Sequence, residues 1–112
     1  MGVPLHQVKA ELFRTLGHPV RVRVLELLQD GPRAVRDLLN EIDVEASNLS
    51  QQLAVLRRAG LVTSSREGAL VVYALSTTDV ADLLAAGRRI LASVLDDRDS
   101  LREQLRVEGT FR

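Results

Sequence analysis

A run of hydroxyl, amide and guanidinium side chains, Ser47-Asn48-Leu49-Ser50-Gln51-Gln52-Leu53-Ala54-Val55-Leu56-Arg57-Arg58, carries the clearest chemistry in this sequence. Leu49, Leu53 and Leu56 recur at i, i+4, i+7, the spacing of one helix face. At about 100° per residue, Ser47, Gln51 and Arg58 point away from that leucine stripe, with Asn48 close to them. A helix that merely faces water mixes both charge signs. This one lacks the negative sign: between positions 46 and 66 there are three arginines and no carboxylate. Amides pair bidentately with adenine and guanidinium groups hold phosphate, so the pattern suits duplex DNA.

Such a helix needs neighbours to hold it. Leu5, Val8, Leu12 and Leu16 predict a first helix over about 5–16. Gly17-His18-Pro19 breaks it, and Pro19 fits the first position of a second helix. The Val/Arg alternation at 20–24 imitates a strand, but Val20, Val24, Leu27 and Leu28 give a helix face and the length favours helix. Asp30-Gly31-Pro32 ends it. Val35, Leu38, Leu39 and Ile42 predict a third helix of about two turns. Asp43-Val44-Glu45 is a tight turn before the polar helix at about 46–59, which Gly60 terminates. Two short helices joined by a tight turn, the second polar and exposed, make a helix-turn-helix. Residues 61–66 and 70–75 are rich in β-formers and flank Glu67-Gly68-Ala69, a hairpin in the position of a wing.

Ser76, Thr77 or Thr78 caps a last helix, with Asp79 and Asp82 near its positive end. Val80, Leu84, Gly87, Leu91, Val94, Arg98, Leu101 and Leu105 then alternate in steps of four and three, a heptad seam that carries the helix to about 105. Residues 109–112 read as a frayed tail. A seam of this length outruns so small a core, so it is expected to meet a second copy, with Gly87 permitting close approach. Arg98 either pairs across the dimer with Asp97 or Asp99 or marks where the seam splays. The expected fold is mainly α with a small β-hairpin: four helices, two strands and a fifth helix in a winged helix-turn-helix.

Length and composition set the frame. At 112 residues the chain makes one domain, 1–112, with no room for a second core. Three aromatic residues imply aliphatic packing. Fifteen basic residues balance fifteen acidic ones, so no global positive field attracts nucleic acid and DNA binding must rest on local charge. All but one of the basic residues are Arg, which suits bidentate phosphate contacts and equally a GC-rich coding sequence. Without cysteine there are no disulfides and no thiolate metal sites, and a reducing cytoplasm is the expected location. No apolar run reads as a signal peptide or membrane span, so no membrane partner is expected. His18 before Pro19 is read as a cap or packing group rather than a metal ligand. Asp96, Asp97 and Asp99 are read as a solvated face rather than a hard-cation site. Arg21 and Arg23 either reach phosphate or pair with carboxylates such as Glu26. No phosphate loop, Ser/His/Asp set or metal cluster is present, and Ser47 and Ser50 have no candidate base. The chain is therefore read as no enzyme, with no cofactor and no metal.

The segment Leu12-Phe13-Arg14-Thr15-Leu16-Gly17-His18-Pro19-Val20-Arg21-Val22-Arg23-Val24-Leu25 resembles the signature of the ArsR/SmtB family of bacterial winged-helix repressors, a Leu-x-x-Pro-x-Arg pattern leading into a helix. Residues 48–62 resemble the family's recognition helix and the start of its wing, and Gly68 and Tyr73 occupy matching wing positions. The match spans about 8–95. The resemblance implies a sequence-specific DNA-binding regulator, a homodimeric repressor on an inverted-repeat operator. It implies recognition helices in successive major grooves and wings near the flanking minor groove. It assigns Ser47, Asn48, Ser50, Gln51 and Gln52 to bases or backbone, and Arg57 and Arg66 to phosphate. It implies a dimer joined through the first and last helices, with Leu5, Val8, Leu12, Val80, Leu84, Gly87, Leu91 and Val94 as the interface residues. Three departures accompany it. The third helix lacks the family's metal-binding cysteines, the last helix has no histidine, and Ala69 and Leu70 stand at the wing tip where basic residues are common. The chain is most similar to cysteine-free actinobacterial members. The rival expectation, favoured by the neutral net charge and the poor wing tip, is a winged helix that binds protein rather than DNA.

Overall fold

The computed structural model describes residues 2–110, and it divides into two compact units, one ending at Ala81 and the other beginning at Asp82. Helix α1 (Leu5–Leu16) starts behind Pro4, whose carbonyl accepts from the N–H groups of Gln7 and Val8, and it stops at Gly17. Pro19 opens α2 (Pro19–Leu27). His18 is extended there, and its Nδ1 accepts the Val20 N–H at 3.2 Å. The histidine is thus a helix cap, satisfying one of the donors a helix start leaves over.

A single 3₁₀ turn (Leu28–Asp30) follows, and Gly31, at φ 132°, redirects the chain in a conformation that side chains rarely adopt. The chain then enters a two-residue strand, β1 (Arg33–Ala34), that sequence periodicity did not predict. Two residues are too few to show an alternating pattern. Helices α3 (Val35–Glu41) and α4 (Ala46–Arg58) follow, then the wing strands β2 (Val62–Glu67) and β3 (Leu70–Leu75). The sheet has three strands, not two, in the antiparallel order β1-β3-β2. Arg33 pairs with Tyr73 and Ala34 with Val72, so the strand before α3 is stitched to the wing. The wing closes on Gly68-Ala69 between paired Glu67 and Leu70, with positive φ (62°) at Gly68.

The end of α4 is fixed by backbone chemistry. Leu61 N–H bonds to the Leu56 carbonyl and Gly60 N–H to that of Arg57, both at 3.0 Å, with Gly60 at φ 79°. This is the Schellman pattern, and glycine is the residue that tolerates it. Ser76 then ties the end of β3 to this corner, its Oγ donating to the Gly60 carbonyl at 2.7 Å. Thr77 resolves the three-way choice of cap for the last helix: its Oγ1 accepts the Asp79 N–H at 3.1 Å. Helix α5 (Thr78–Thr110) is 33 residues long. It takes in Gly109 and Thr110, which were expected in a tail; Phe111 and Arg112 lie outside the described residues.

The core of the first unit is aliphatic. Val24, Leu25, Leu28, Leu38, Leu49, Leu53 and Leu56 are its fully buried side chains, drawn from α2, the 3₁₀ turn, α3 and α4. Among the described residues no helix is long and apolar enough to cross a membrane. Leu25 is wholly buried in α2, which packs against α4. Leu25→Ala should therefore cost about 2–5 kcal/mol in denaturant unfolding, and a loss under about 1 kcal/mol would show that the core collapses around the cavity.

Candidate nucleic-acid interface

Helix α4 buries Leu49, Gln52, Leu53 and Leu56 and turns Ser47, Ser50, Gln51, Ala54, Arg57 and Arg58 to solvent. The exposed set recurs at three- and four-residue steps, which makes it one continuous face. Ala54 at its middle adds almost no bulk, so the face can lie close to a groove floor. Asn48 is half-buried at the edge of this face. Arg66 is exposed on β2.

Gln52 does not join the exposed set. It is 9% exposed, and its amide is used inside the protein. Its Oε1 accepts from Arg21 Nε at 2.8 Å, and its Nε2 donates to Asn48 Oδ1 at 2.9 Å. The physical reason is its angular position: at i+3 from Leu49 and one residue before Leu53 it falls within the apolar stripe. Arg21 is thereby occupied as well, since its Nη1 also donates to the Thr15 carbonyl at 3.2 Å. It neither pairs with a carboxylate nor projects toward solvent as a free cation. Arg23 lies within 3.6 Å of Glu26 in an exposed pair.

The remaining cations of the unit fall into two groups. Arg14 and Arg23, on α1 and α2, are paired with Glu11 and Glu26. Lys9, Arg33, Arg36, Arg57, Arg58 and Arg66 have no ion pair among the described residues. Arg36 was not singled out by sequence reasoning, because the start of α3 reads only as a core helix. The β1–β3 pairing brings it to the interface. Arg36 and Ser50 share a groove of about 490 Å³ with Tyr73 and the wing residues Ala69, Leu70 and Val71. The groove joins α3, α4 and the wing into one surface with hydroxyl and guanidinium groups along it. No arrangement in the sequence alone signals this, since the wing reaches α3 only through the β1–β3 pairing.

The residues assigned to a dimer contact are placed less uniformly. On α1, Leu5 is 67% and Val8 52% exposed, while Leu12 is half-buried. On α5, Leu91 is 62% and Val94 39% exposed, and Leu84 and Gly87 are half-buried. Val80 differs: at 5% exposure it belongs to the core of its own chain, because the first turn of α5 is still part of the first unit. Ile90 and Leu95, which the heptad register leaves out, are exposed beside Leu91 and Val94 in the sequence. Asp96, Asp97 and Asp99 are exposed, and among the described residues no group of three or more His, Cys, Asp or Glu side chains is placed to hold a metal ion.

A helix-turn-helix whose second helix shows a carboxylate-free polar face, followed by a wing, defines a DNA-binding transcriptional regulator of the winged-helix class. The comparisons with known proteins agree. Residues 18–64 match the family described as bacterial regulatory protein, arsR family. The HTH-type transcriptional regulator Rv0081 of Mycobacterium tuberculosis H37Rv is 50% identical over 108 residues, covering 96% of this chain and 95% of that protein. Its crystal structure superposes with a TM-score of 0.81 at 51% identity, over 87% of this chain and 98% of that one. The biofilm growth-associated repressor of Agrobacterium fabrum is 39% identical over 77 residues, 69% of this chain and 66% of its own. A homodimeric winged helix-turn-helix DNA-binding domain, Mb0332 of Mycobacterium bovis, matches with a TM-score of 0.74 at 29% identity, over 83% of this chain and 86% of that one. The chain belongs to the ArsR family.

Gln51 stands at the middle of the exposed face with its amide free. Gln51→Ala should weaken operator binding by about 1–3 kcal/mol and relax base preference at one position per half-site, measured by titration against a panel of single-base variants. A uniform loss across the panel would make Gln51 a backbone contact instead.

Proposed function

We propose that this chain is a homodimeric repressor that occludes a promoter by binding an inverted repeat. The observation that carries the reading is the exposed face of α4, where Ser47, Ser50, Gln51, Arg57 and Arg58 stand without a carboxylate, next to a groove holding the unpaired Arg36. Amides and hydroxyls there serve base edges, and the guanidinium groups, with Arg66 on the wing, serve phosphates. The name of the Agrobacterium relative supports repression, and the homodimeric Mb0332 domain supports a two-fold assembly. The DNA-reading unit and α5 are inferred to act together as one functional domain over 1–112.

Activity is inferred to lie in binding and not in catalysis. Ser47 and Ser50 hydrogen-bond to no histidine or carboxylate among the described residues, so nothing activates either hydroxyl. The cytoplasm is the proposed location.

Selection of bound sites from random duplex DNA tests the reading. The expected product is an imperfect inverted repeat whose half-site centres lie about one helical turn, roughly 34–36 Å, or a small multiple apart. Binding should weaken steeply with salt as phosphate contacts release counterions. Failure to enrich any sequence, with salt-independent capture of protein partners, would favour a protein-interaction module.

The dimer has its own test. Leu91 is exposed in the single chain and sits on the heptad seam. Leu91→Asp would set an unpaired charge into the contact between two copies, and burying such a charge without a partner costs on the order of several kcal/mol. Sedimentation should give a dimer for the wild-type chain at micromolar concentration and a monomer for the variant. A wild-type monomer would overturn the assignment.

A further inference from the structure

We propose that Gln52, buried beneath the reading face, holds Asn48 as a hydrogen-bond donor toward DNA, so that Asn48 selects keto bases, guanine or thymine. The inference rests on the DNA-binding reading of α4 and adds to it the chemistry of one contact.

The argument starts at Arg21. A guanidinium group carries five donors and no acceptor, and it stays protonated. Arg21 Nη1 donates to the Thr15 carbonyl at 3.2 Å and Nε to Gln52 at 2.8 Å. The end of the Gln52 amide that faces Arg21 must therefore be its oxygen, because an NH₂ there would set donor against donor. That leaves Gln52 Nε2 facing Asn48, which it meets at 2.9 Å. The same logic repeats. A donor faces Asn48, so Asn48 must answer with Oδ1, and its Nδ2 turns away. Among the described residues Nδ2 makes no hydrogen bond. Polarity runs one way along this chain of groups, from a cation that cannot reverse it.

Burial makes the orientation stick. Gln52 is 9% exposed and Arg21 half-buried, so water competes poorly for their amide and guanidinium groups. Asn48 is half-buried, one helical turn before Gln52 and in the first turn of α4. The first residues of a recognition helix are those that reach base edges. A free asparagine reads adenine by offering oxygen to N6 and amide to N7. Asn48 has its oxygen engaged by Gln52, so it offers N–H groups. Guanine presents O6 and N7 as acceptors and thymine presents O4, whereas cytosine presents only a donor and adenine sets a donor beside its acceptor. This replaces the adenine pairing that residue type alone suggests.

The test compares base preferences of the wild-type chain with those of Gln52→Glu and Asn48→Asp, by selection from random duplex DNA followed by competition at each position. In Gln52→Glu the new carboxylate keeps Arg21 but has no donor, so Asn48 turns over and shows its oxygen to the DNA. In Asn48→Asp one oxygen accepts from Gln52 and the other faces out. Both variants should switch one position per half-site from keto to amino bases, on the order of tenfold, with the other positions unchanged. A merely structural role for Gln52 would instead lower affinity evenly at every position. Unchanged preference in both variants would overturn the proposal, as would a uniform loss with a smaller salt slope, which would place Asn48 on phosphate. If thermal melting shows Gln52→Glu unfolded, Asn48→Asp decides alone, since its side chain lies at the surface edge. Absence of salt-dependent duplex binding by the wild-type chain would overturn the DNA-binding reading and this inference with it.

Discussion

Leu49, Leu53 and Leu56 must leave water, and α4 is only 13 residues long, so the choice of its buried face also fixes its exposed one. Burial of a leucine side chain contributes about 1.5–3 kcal/mol, and no polar contact on the outer face competes with three of them. The helix packs on α2 and on the start of β2, which sets its rotation about its own axis. Ser47, Ser50, Gln51, Ala54, Arg57 and Arg58 then face outward as a consequence. The reading surface is thus positioned by the apolar contacts behind it, and the Schellman turn at Gly60 fixes where it ends.

One polar residue interrupts the leucine stripe. A buried amide left without partners costs about 1–3 kcal/mol, so Gln52 is tolerable only with both its ends satisfied. Arg21 and Asn48 satisfy them, and no buried side-chain nitrogen or oxygen among the described residues lacks a partner. A leucine at this position would bury as well. It would leave Arg21 with one partner fewer and Asn48 free to rotate. The amide links the end of α1, through the Thr15 carbonyl, to the start of the recognition helix. This is a connection that aliphatic packing, which is indifferent to orientation, cannot supply.

Much of this was legible because the chain punctuates itself. Gly17-His18-Pro19 and Gly60 bound helices whose apolar periodicity is regular, and both α1 and α4 fall within a residue of the expected limits. The Glu67-Gly68-Ala69 turn is read from glycine alone. What was not legible depends on contacts between distant segments. Two residues pairing across to Val72 and Tyr73 have no local signature, so β1 and the arrival of Arg36 beside Ser50 were missed. Gln52 looks like its neighbours Gln51 and Asn48 in residue type; its spacing from Leu49 and Leu53 puts it within the apolar stripe, but the Arg21 partner on α2 that makes its burial tolerable has no sign in the sequence. Val80 fits the heptad seam by spacing, yet spacing does not tell whether a position faces its own core or a second copy.

A chain of zero net charge that binds a polyanion must segregate its charges. Here the exposed ion pairs are short-range i, i+3 pairs on α1, α2 and α5, which neutralise cations away from the reading surface. In the DNA-reading unit Arg33, Arg36, Arg57, Arg58 and Arg66 are left to act on phosphates, while Lys9 on α1 and Arg88, Arg89, Arg98 and Arg102 on α5 also carry no ion pair among the described residues. Few free cations at the reading surface mean few counterions released and weak binding by a single copy. Linking two copies makes the second engagement intramolecular, and a matched span can raise affinity by about 10²–10⁴ without a new contact. The exposed Ile90, Leu91, Val94 and Leu95 of α5 give the apolar surface for such a link, since a long helix showing that much aliphatic area gains little from water. Dimerisation would then contribute more than symmetry. It supplies the affinity that the balanced charge withholds, and because the gain depends on span, it also makes half-site spacing part of what the protein recognises.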